Sequence, residues 1–262
     1  MTQNRVRHVL GLSGGKDSAA LAIYMRDRVP EMEYFFADTG AELQETYDFL
    51  EKMEAYLGKE IIRLSPGRDF DHFLKLYGNF LPSPSARWCT KEMKIKPFER
   101  WIGDDEAISY VGIRADENRG GYISTKPNIK AVMPFKEDGL EKADIFKILD
   151  ESGVGVPDYY KWRSRSGCYF CFYQRKSEWA GLKKEHPELF EKAKEYEKPD
   201  PVTGKRFTWS QNESLDELGD RAEDILKRSS GALNDGSKPR SWQDIAEEED
   251  DDADDGCLIC HL

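Results

Sequence analysis

Val9-Leu10-Gly11-Leu12-Ser13-Gly14-Gly15-Lys16-Asp17-Ser18 joins a short apolar run to a glycine pair, a lysine and two serines. The apolar run predicts a buried strand, and the glycine pair ends it. From Ser18 to about Arg28 the chain reads as a helix, with Ala19, Leu21, Ala22 and Met25 on its apolar side. A strand that breaks into two glycines and restarts as a helix makes a phosphate cradle. The glycines admit close backbone approach, and the free N–H groups of the helix start point at an oxyanion. Lys16 adds a mobile cation, and Ser13 and Ser18 add hydroxyls. A Walker loop needs glycine, four residues, then Gly-Lys-Ser/Thr, and that spacing does not occur. A plain glycine-rich turn is the competing reading.

Outward from this loop, strand and helix signals alternate. Strands are predicted over 32–37, 60–64, 108–113 and 129–135. Helices are predicted over 42–57 and around Phe70, Phe73, Leu74 and Leu76. This order implies an α/β fold, a doubly wound and mainly parallel sheet with ligands at the carboxyl ends of its strands. After about Asp150 the character shifts to aromatic loops and charged helices, 177–198 (interrupted near Pro187) and 214–228. The expected organisation is a nucleotide-binding domain over 1–150, a Cys-x-x-Cys loop and helical region over 151–235, and an acidic flexible tail over 236–262.

The 262 residues carry a net charge of −11, but nine acids lie between Asp244 and Asp255 without a base. Setting them aside leaves −2, a nearly balanced body. The acidic block reads as a solvated spacer or as a tether for Cys257 and Cys260 beyond it. No signal-peptide pattern and no run long enough to cross a bilayer is visible, so a cytoplasmic protein without membrane contact is expected. In that compartment five cysteines suggest metal or sulfur chemistry before disulfides.

Four further constellations fall where a nucleotide site would use them. Asp38-Thr39-Gly40, followed by Glu42 and Glu45-Thr46, offers a carboxylate and a hydroxyl for ribose, adenine or magnesium, or else a helix cap with a first-turn acid. Arg87 to Pro97 is a cationic segment around Cys89, read as a phosphate contact or as an exposed basic helix. Gly112 to Arg119 leaves a strand with Arg114 and Arg119, suited to fork onto phosphates. Arg163 to Cys171 sets Cys168 and Cys171 among basic and aromatic residues, where Tyr169, Phe170, Phe172 and Tyr173 either stack on bases or pack.

The hexapeptide Ser13 to Ser18 resembles the pyrophosphate loop of adenine-nucleotide α-hydrolases, which split ATP between the α and β phosphates. Together with Asp38-Thr39-Gly40, Cys89…Lys94…Pro97, Gly112-x-Arg114-x-x-Glu117-x-Arg119 and Gly167-Cys168-x-x-Cys171, it resembles the phosphoadenosine-phosphosulfate reductase family from about Val9 to Cys171. That family includes adenylyl-sulfate reductases and the ATP pyrophosphatases of DNA phosphorothioation. The resemblance implies a Rossmann-like sheet and catalytic roles for Lys16, Asp17, Ser18 and Arg114. It also implies nucleotide contacts from Ser13, Gly14, Gly15, Asp38, Thr39, Gly40 and Arg119. Members with a four-iron, four-sulfur cluster carry an adjacent Cys-Cys where this chain has Trp88-Cys89, which is a departure. Cys89, Cys168 and Cys171 are then three ligands, with Cys260 or Cys257 as the fourth or the fourth site left open for sulfur. Zinc on Cys168, Cys171, Cys257 and Cys260, or free buried thiols, are the alternatives.

Sulfonucleotide reductases bind an already activated sulfate and lack the intact loop, so its presence here implies consumption of ATP with Mg2+. The phosphorothioation proteins fit best, and Phe207 to Leu215 also looks like chains of that group. The expected reaction is adenylation of a DNA backbone with pyrophosphate release, then sulfur insertion. The expected partners are a cysteine desulfurase or other sulfur donor and further modification-complex proteins. A sulfonucleotide reductase, a tRNA-thiolation enzyme and an ATP-binding regulatory subunit of a defence complex stay open as alternatives.

Overall fold

In the computed structural model, which describes residues 6–118, 124–199, 203–210, 213–231 and 243, the chain runs β1 (Arg7–Gly11), α1 (Lys16–Met25), β2 (Glu33–Ala37), α2 (Gln44–Leu57), β3 (Ile61–Leu64) and α3 (Phe70–Leu76). Then come α4 (Trp88–Thr90), a π-helical turn (Lys91–Ile95), α5 (Lys96–Ile102), β4 (Ala107–Tyr110), β5 (Ile129–Val132), α6 (Pro134–Glu137) and α7 (Lys142–Ser152). A 3-10 turn (Asp158–Lys161) leads to α8 (Lys176–Glu185), α9 (Pro187–Glu195), α10 (Leu215–Asp220) and α11 (Ala222–Gly231).

The five strands form one parallel sheet in the order β3-β2-β1-β4-β5. β1 is central because both its faces are covered, and its side chains alternate between two cores. Leu10 joins Tyr34, Phe36, Ala19, Leu50 and Leu149 beneath α1, α2 and α7. Val9 joins Phe35, Phe98, Ile102 and Val111 beneath α5 on the opposite face. The expected doubly wound sheet is therefore the observed fold. Its order reverses at β1, so a crevice opens at the carboxyl ends of β1 and β4.

A third core holds the C-terminal helices. Trp179, Leu182, Phe190, Trp209, Leu215 and Leu218 pack with Phe70, Trp88 and Leu43. Trp88 stacks on Tyr77 and Phe70 with ring centroids 5.1 Å apart in each pair, and its Nε1 donates to the Phe80 carbonyl.

The differences from the sequence reading are local. β5 stops at Val132 because Pro134 lacks the N–H to continue a ladder and instead starts α6. Pro187 begins α9, so the expected interruption is a break at His186. The basic segment after Arg87 is helical. It widens to a π turn in which the Lys96 N–H reaches the Lys91 carbonyl, one residue ahead of Pro97, whose ring cannot join an ordinary ladder. α7 went unpredicted, although Glu141 and Asp144 form a capping box and Ile145 and Leu149 line one buried face.

Candidate active site

Three loops leave the carboxyl ends of adjacent strands: Leu12 to Gly15 after β1, Asp38 to Gly40 after β2, and Val111 to Asn118 after β4. The first turns on Gly14, whose φ of +77° favours glycine, and a Cβ there would lie 2.6 Å from Thr46 Cγ2 of α2. A Cβ on Gly15 would meet Ser166 Oγ at 2.8 Å. Both glycines are therefore required by space, and one by backbone conformation as well.

Within the loop, Ser18 Oγ accepts from the Ser13 N–H at 3.1 Å and donates to the Gly15 carbonyl at 3.1 Å. These bonds hold the turn at the start of α1. Beyond them lies a buried charge group. Lys16 Nζ is 2.9 Å from one carboxylate oxygen of Asp17, and Arg114 Nη1 is 3.1 Å from the other. Arg114 also pairs with Asp116 at 2.9 Å and Glu117 at 3.0 Å. Lys16, Asp17 and Arg114 are 1%, 5% and 2% exposed. Burial works against the Arg114 charge, but Asp17, Glu117 and Asp116 outweigh it and hold the guanidinium above its ordinary value. The backbone of Gly112 lies so close to α1 that an added Cβ would sit 3.0 Å from the Asp17 carbonyl.

The wall over the loop comes from far along the chain. Tyr159 Oη donates to the Gly14 carbonyl at 2.7 Å, and the Lys16 N–H donates to Tyr160 Oη at 3.0 Å. Ser166 Oγ reaches Ser13 Oγ at 3.2 Å. Arg163, itself buried, donates to the Gly167 and Cys168 carbonyls, and the Glu178 carboxylate accepts from Ser164 and the Arg175 N–H. Burial disfavours the Glu178 charge, but Arg163, Arg165 and the Ser164 donors hold its carboxyl below the ordinary range. His186, at the α8–α9 break, contacts Glu45 of α2 at 2.8 Å.

At the end of β2, Asp38 Oδ1 accepts from the Gly40 N–H and the Tyr47 hydroxyl. Thr39 Oγ1 donates to Glu42 at 2.8 Å and lies 3.2 Å from Cys168 Sγ. Burial pushes the Glu42 carboxyl up, while Lys94 and the Thr39 hydroxyl oppose it. Burial and Glu42 push the Cys168 thiol up, with Lys94 opposing.

The structure thus brings Ser13, Gly14, Gly15, Lys16, Asp17, Ser18 and Arg114 into one group, with Asp38, Thr39 and Gly40 at the neighbouring strand end. Cys168 joins Thr39 and Glu42, and both Cys89 and Cys168 pack partly buried against the aromatic core. Among the described residues, no three His, Cys, Asp or Glu side chains gather to hold a metal ion. Arg119, Cys257 and Cys260 lie outside the described residues. Tyr159 and Tyr160 are site residues that sequence reasoning missed. Nothing in their spacing marks them, and only the Pro157 before them signals a turn.

The Phosphoadenosine phosphosulfate reductase domain matches residues 7–138, half of the chain. This chain belongs to that family. Its β1 to β5, its loop and Arg114 all fall within the match, whereas Tyr159, Tyr160 and the Cys-x-x-Cys turn fall outside it. An uncharacterized protein of Methanocaldococcus jannaschii is 32% identical over 198 residues, 70% of this chain and 40% of that protein. An adenosine 5'-phosphosulfate reductase of Bacillus cereus is 30% identical over 112 residues, 42% of this chain and 47% of that enzyme. The chain thus spans less than half the length of these two relatives. The crystal structure of phosphoadenylyl-sulfate reductase from Candida auris, a phosphate complex, superposes with a TM-score of 0.49 at 16% identity, covering 63% of this chain and 82% of that one. No helix among the described residues is long and apolar enough to cross a membrane.

Proposed function

We propose that this member of the phosphoadenosine phosphosulfate reductase family cleaves ATP between the α and β phosphates and adenylates an oxygen of a nucleic-acid backbone phosphate, as in DNA phosphorothioation. The observation that carries this reading is the intact Ser13 to Ser18 loop, built onto the start of α1 and backed by the Lys16–Asp17–Arg114 group. The acceptor oxygen attacks the α-phosphorus, the bond to the bridging oxygen breaks, and pyrophosphate leaves with the negative charge. Lys16 and the loop donors meet that charge as it builds, and Arg114 keeps Asp17 oriented between two cations. Asp38, fixed by Gly40 and Tyr47, would hold the magnesium that arrives with ATP, and that ion supplies charge neutralisation on the phosphates. Sulfur then comes from a separate persulfide donor such as a cysteine desulfurase. A second thiol supplies the two electrons that free the sulfur–sulfur bond, and AMP departs.

The test is chromatography of products formed from ATP. AMP and pyrophosphate are expected, and Lys16→Ala or Asp17→Ala should nearly abolish them, a loss of about 2.7–4 kcal/mol in barrier. ADP and orthophosphate as the main products would refute the assignment. A second reading, favoured by the likeness to the Bacillus cereus enzyme, is reduction of an adenylylated sulfate. Sulfite and AMP formed from adenosine phosphosulfate and a dithiol, with ATP left intact, would select it.

A further inference from the structure

The backbone N–H of Lys16 is the first donor of α1, in the position where a pyrophosphate loop meets its anion. In this structure that donor is taken by the Tyr160 hydroxyl at 3.0 Å. The neighbouring Tyr159 hydroxyl holds the Gly14 carbonyl, and the two phenol rings stack with centroids 4.9 Å apart. Both tyrosines sit on the short 3-10 turn Asp158–Lys161. Ahead of the turn are Gly153 and Gly155, with φ of +69° and +70°, and Pro157. After it, Arg163 pins the chain through the Gly167 and Cys168 carbonyls. Between the glycines Val154 is buried and its carbonyl accepts from Lys52, so the freedom to adjust ahead of the turn lies at Gly155.

Resting on the pyrophosphate-loop reading above, we infer that Tyr160 is a positioning residue whose hydroxyl stands in for a phosphate oxygen at the Lys16 N–H and sets the affinity for pyrophosphate by competing with it. A buried N–H without an acceptor is costly, so the phenol keeps the loop formed whenever no anion is bound. An incoming oxyanion, a stronger acceptor than a neutral phenol, takes the donor over and the Tyr160 turn shifts away. Tyr159 plays a different part: it donates to a carbonyl, which no anion would use, and so it shapes the loop without competing for its ligand.

The experiment measures inorganic pyrophosphate binding to the full chain by calorimetry for the wild type, Tyr160→Phe and Tyr159→Phe. Thermal melting checks each variant for folding. Tyr160→Phe leaves the N–H unsatisfied until pyrophosphate arrives, so it should bind about five- to tenfold more tightly, while melting lower when empty. Tyr159→Phe should not tighten binding. In the wild type, pyrophosphate should reduce hydrogen-exchange protection across 158–162, a readout that needs no variant to fold. Equal or weaker binding by folded Tyr160→Phe, or unchanged exchange in 158–162, overturns the competition while leaving the pyrophosphate loop intact. No binding by either protein overturns the loop reading and this inference with it.

Discussion

Replacing Asp17 by asparagine takes one negative charge from between two buried cations. Lys16 Nζ and Arg114 Nη1 approach separate oxygens of the carboxylate at 2.9 and 3.1 Å, and all three side chains are almost wholly removed from water. Asparagine keeps the size and one carbonyl acceptor but turns an NH2 group toward one of the cations. Breaking a buried ion pair by removing one partner costs about 3–5 kcal/mol, because the charge left behind stays desolvated. Asp116 and Glu117 still offset part of the Arg114 charge, which points to the lower end, about 3 kcal/mol. That is a large fraction of a typical folding stability of about 5–15 kcal/mol. It corresponds to a melting point lowered by roughly 6–12 °C for a protein of this size. Urea titration followed by tryptophan fluorescence, compared at matched slopes, gives the value directly. High salt should change it little, since the group is shielded from solvent ions. A variant within about 1 kcal/mol of the wild type, with an unchanged slope, would refute the claim that Asp17 holds a buried charge group together.

The two loop glycines should respond differently to repair. Gly15→Ala should lose most ATP cleavage and regain much of it with Ser166→Ala, which removes the clashing oxygen. Gly14→Ala should stay inactive even with Thr46→Ser, because its φ of +77° is unchanged. For Glu178, whose folded carboxyl is held below the ordinary range, the stabilising contribution is fully present above the unfolded value of about 4.3 and is lost as pH falls from there through the lower folded value. Glu178→Gln should therefore flatten the loss of unfolding free energy on acidification and cost about 1–3 kcal/mol at pH 7, read by denaturant titration at each pH. Trp88→Cys should cost about 3–5 kcal/mol in the same titration by emptying a ring-sized site between Tyr77 and Phe70.

The sheet was legible because its signals are local. Val9 to Leu12, Glu33 to Ala37 and Ile61 to Leu64 are short apolar runs with helices between them, and short parallel strands covered on both faces carry that pattern. The loop was legible for a similar reason, since glycine at 14 and 15 answers constraints set within a few residues. The Lys16–Asp17–Arg114 group was half visible. Each residue stood out by its motif, but their pairing depends on β1 and β4 lying side by side, a contact across about a hundred positions. Tyr159 and Tyr160 were invisible, because an aromatic pair in a loop looks the same whether it packs a core or bonds a distant backbone. Cys89, Cys168 and Cys171 were read together from family spacing, which says which residues recur but not that Cys168 faces Thr39 and Glu42.

The bond between His186 and Glu45 sits beside Thr46, the residue whose methyl closes one side of the loop. The other side is closed by Ser166 and the two tyrosines, and the core beneath the C-terminal helices reaches back to Leu43. The six residues of the loop are therefore not a portable cassette. Moving them to another α/β scaffold would carry the glycines and the lysine but leave both walls behind. The smallest unit that could be transplanted with its geometry runs from β1 to at least α10, so grafts or trimmed versions ending at the edge of the sheet should bind pyrophosphate poorly even when they fold.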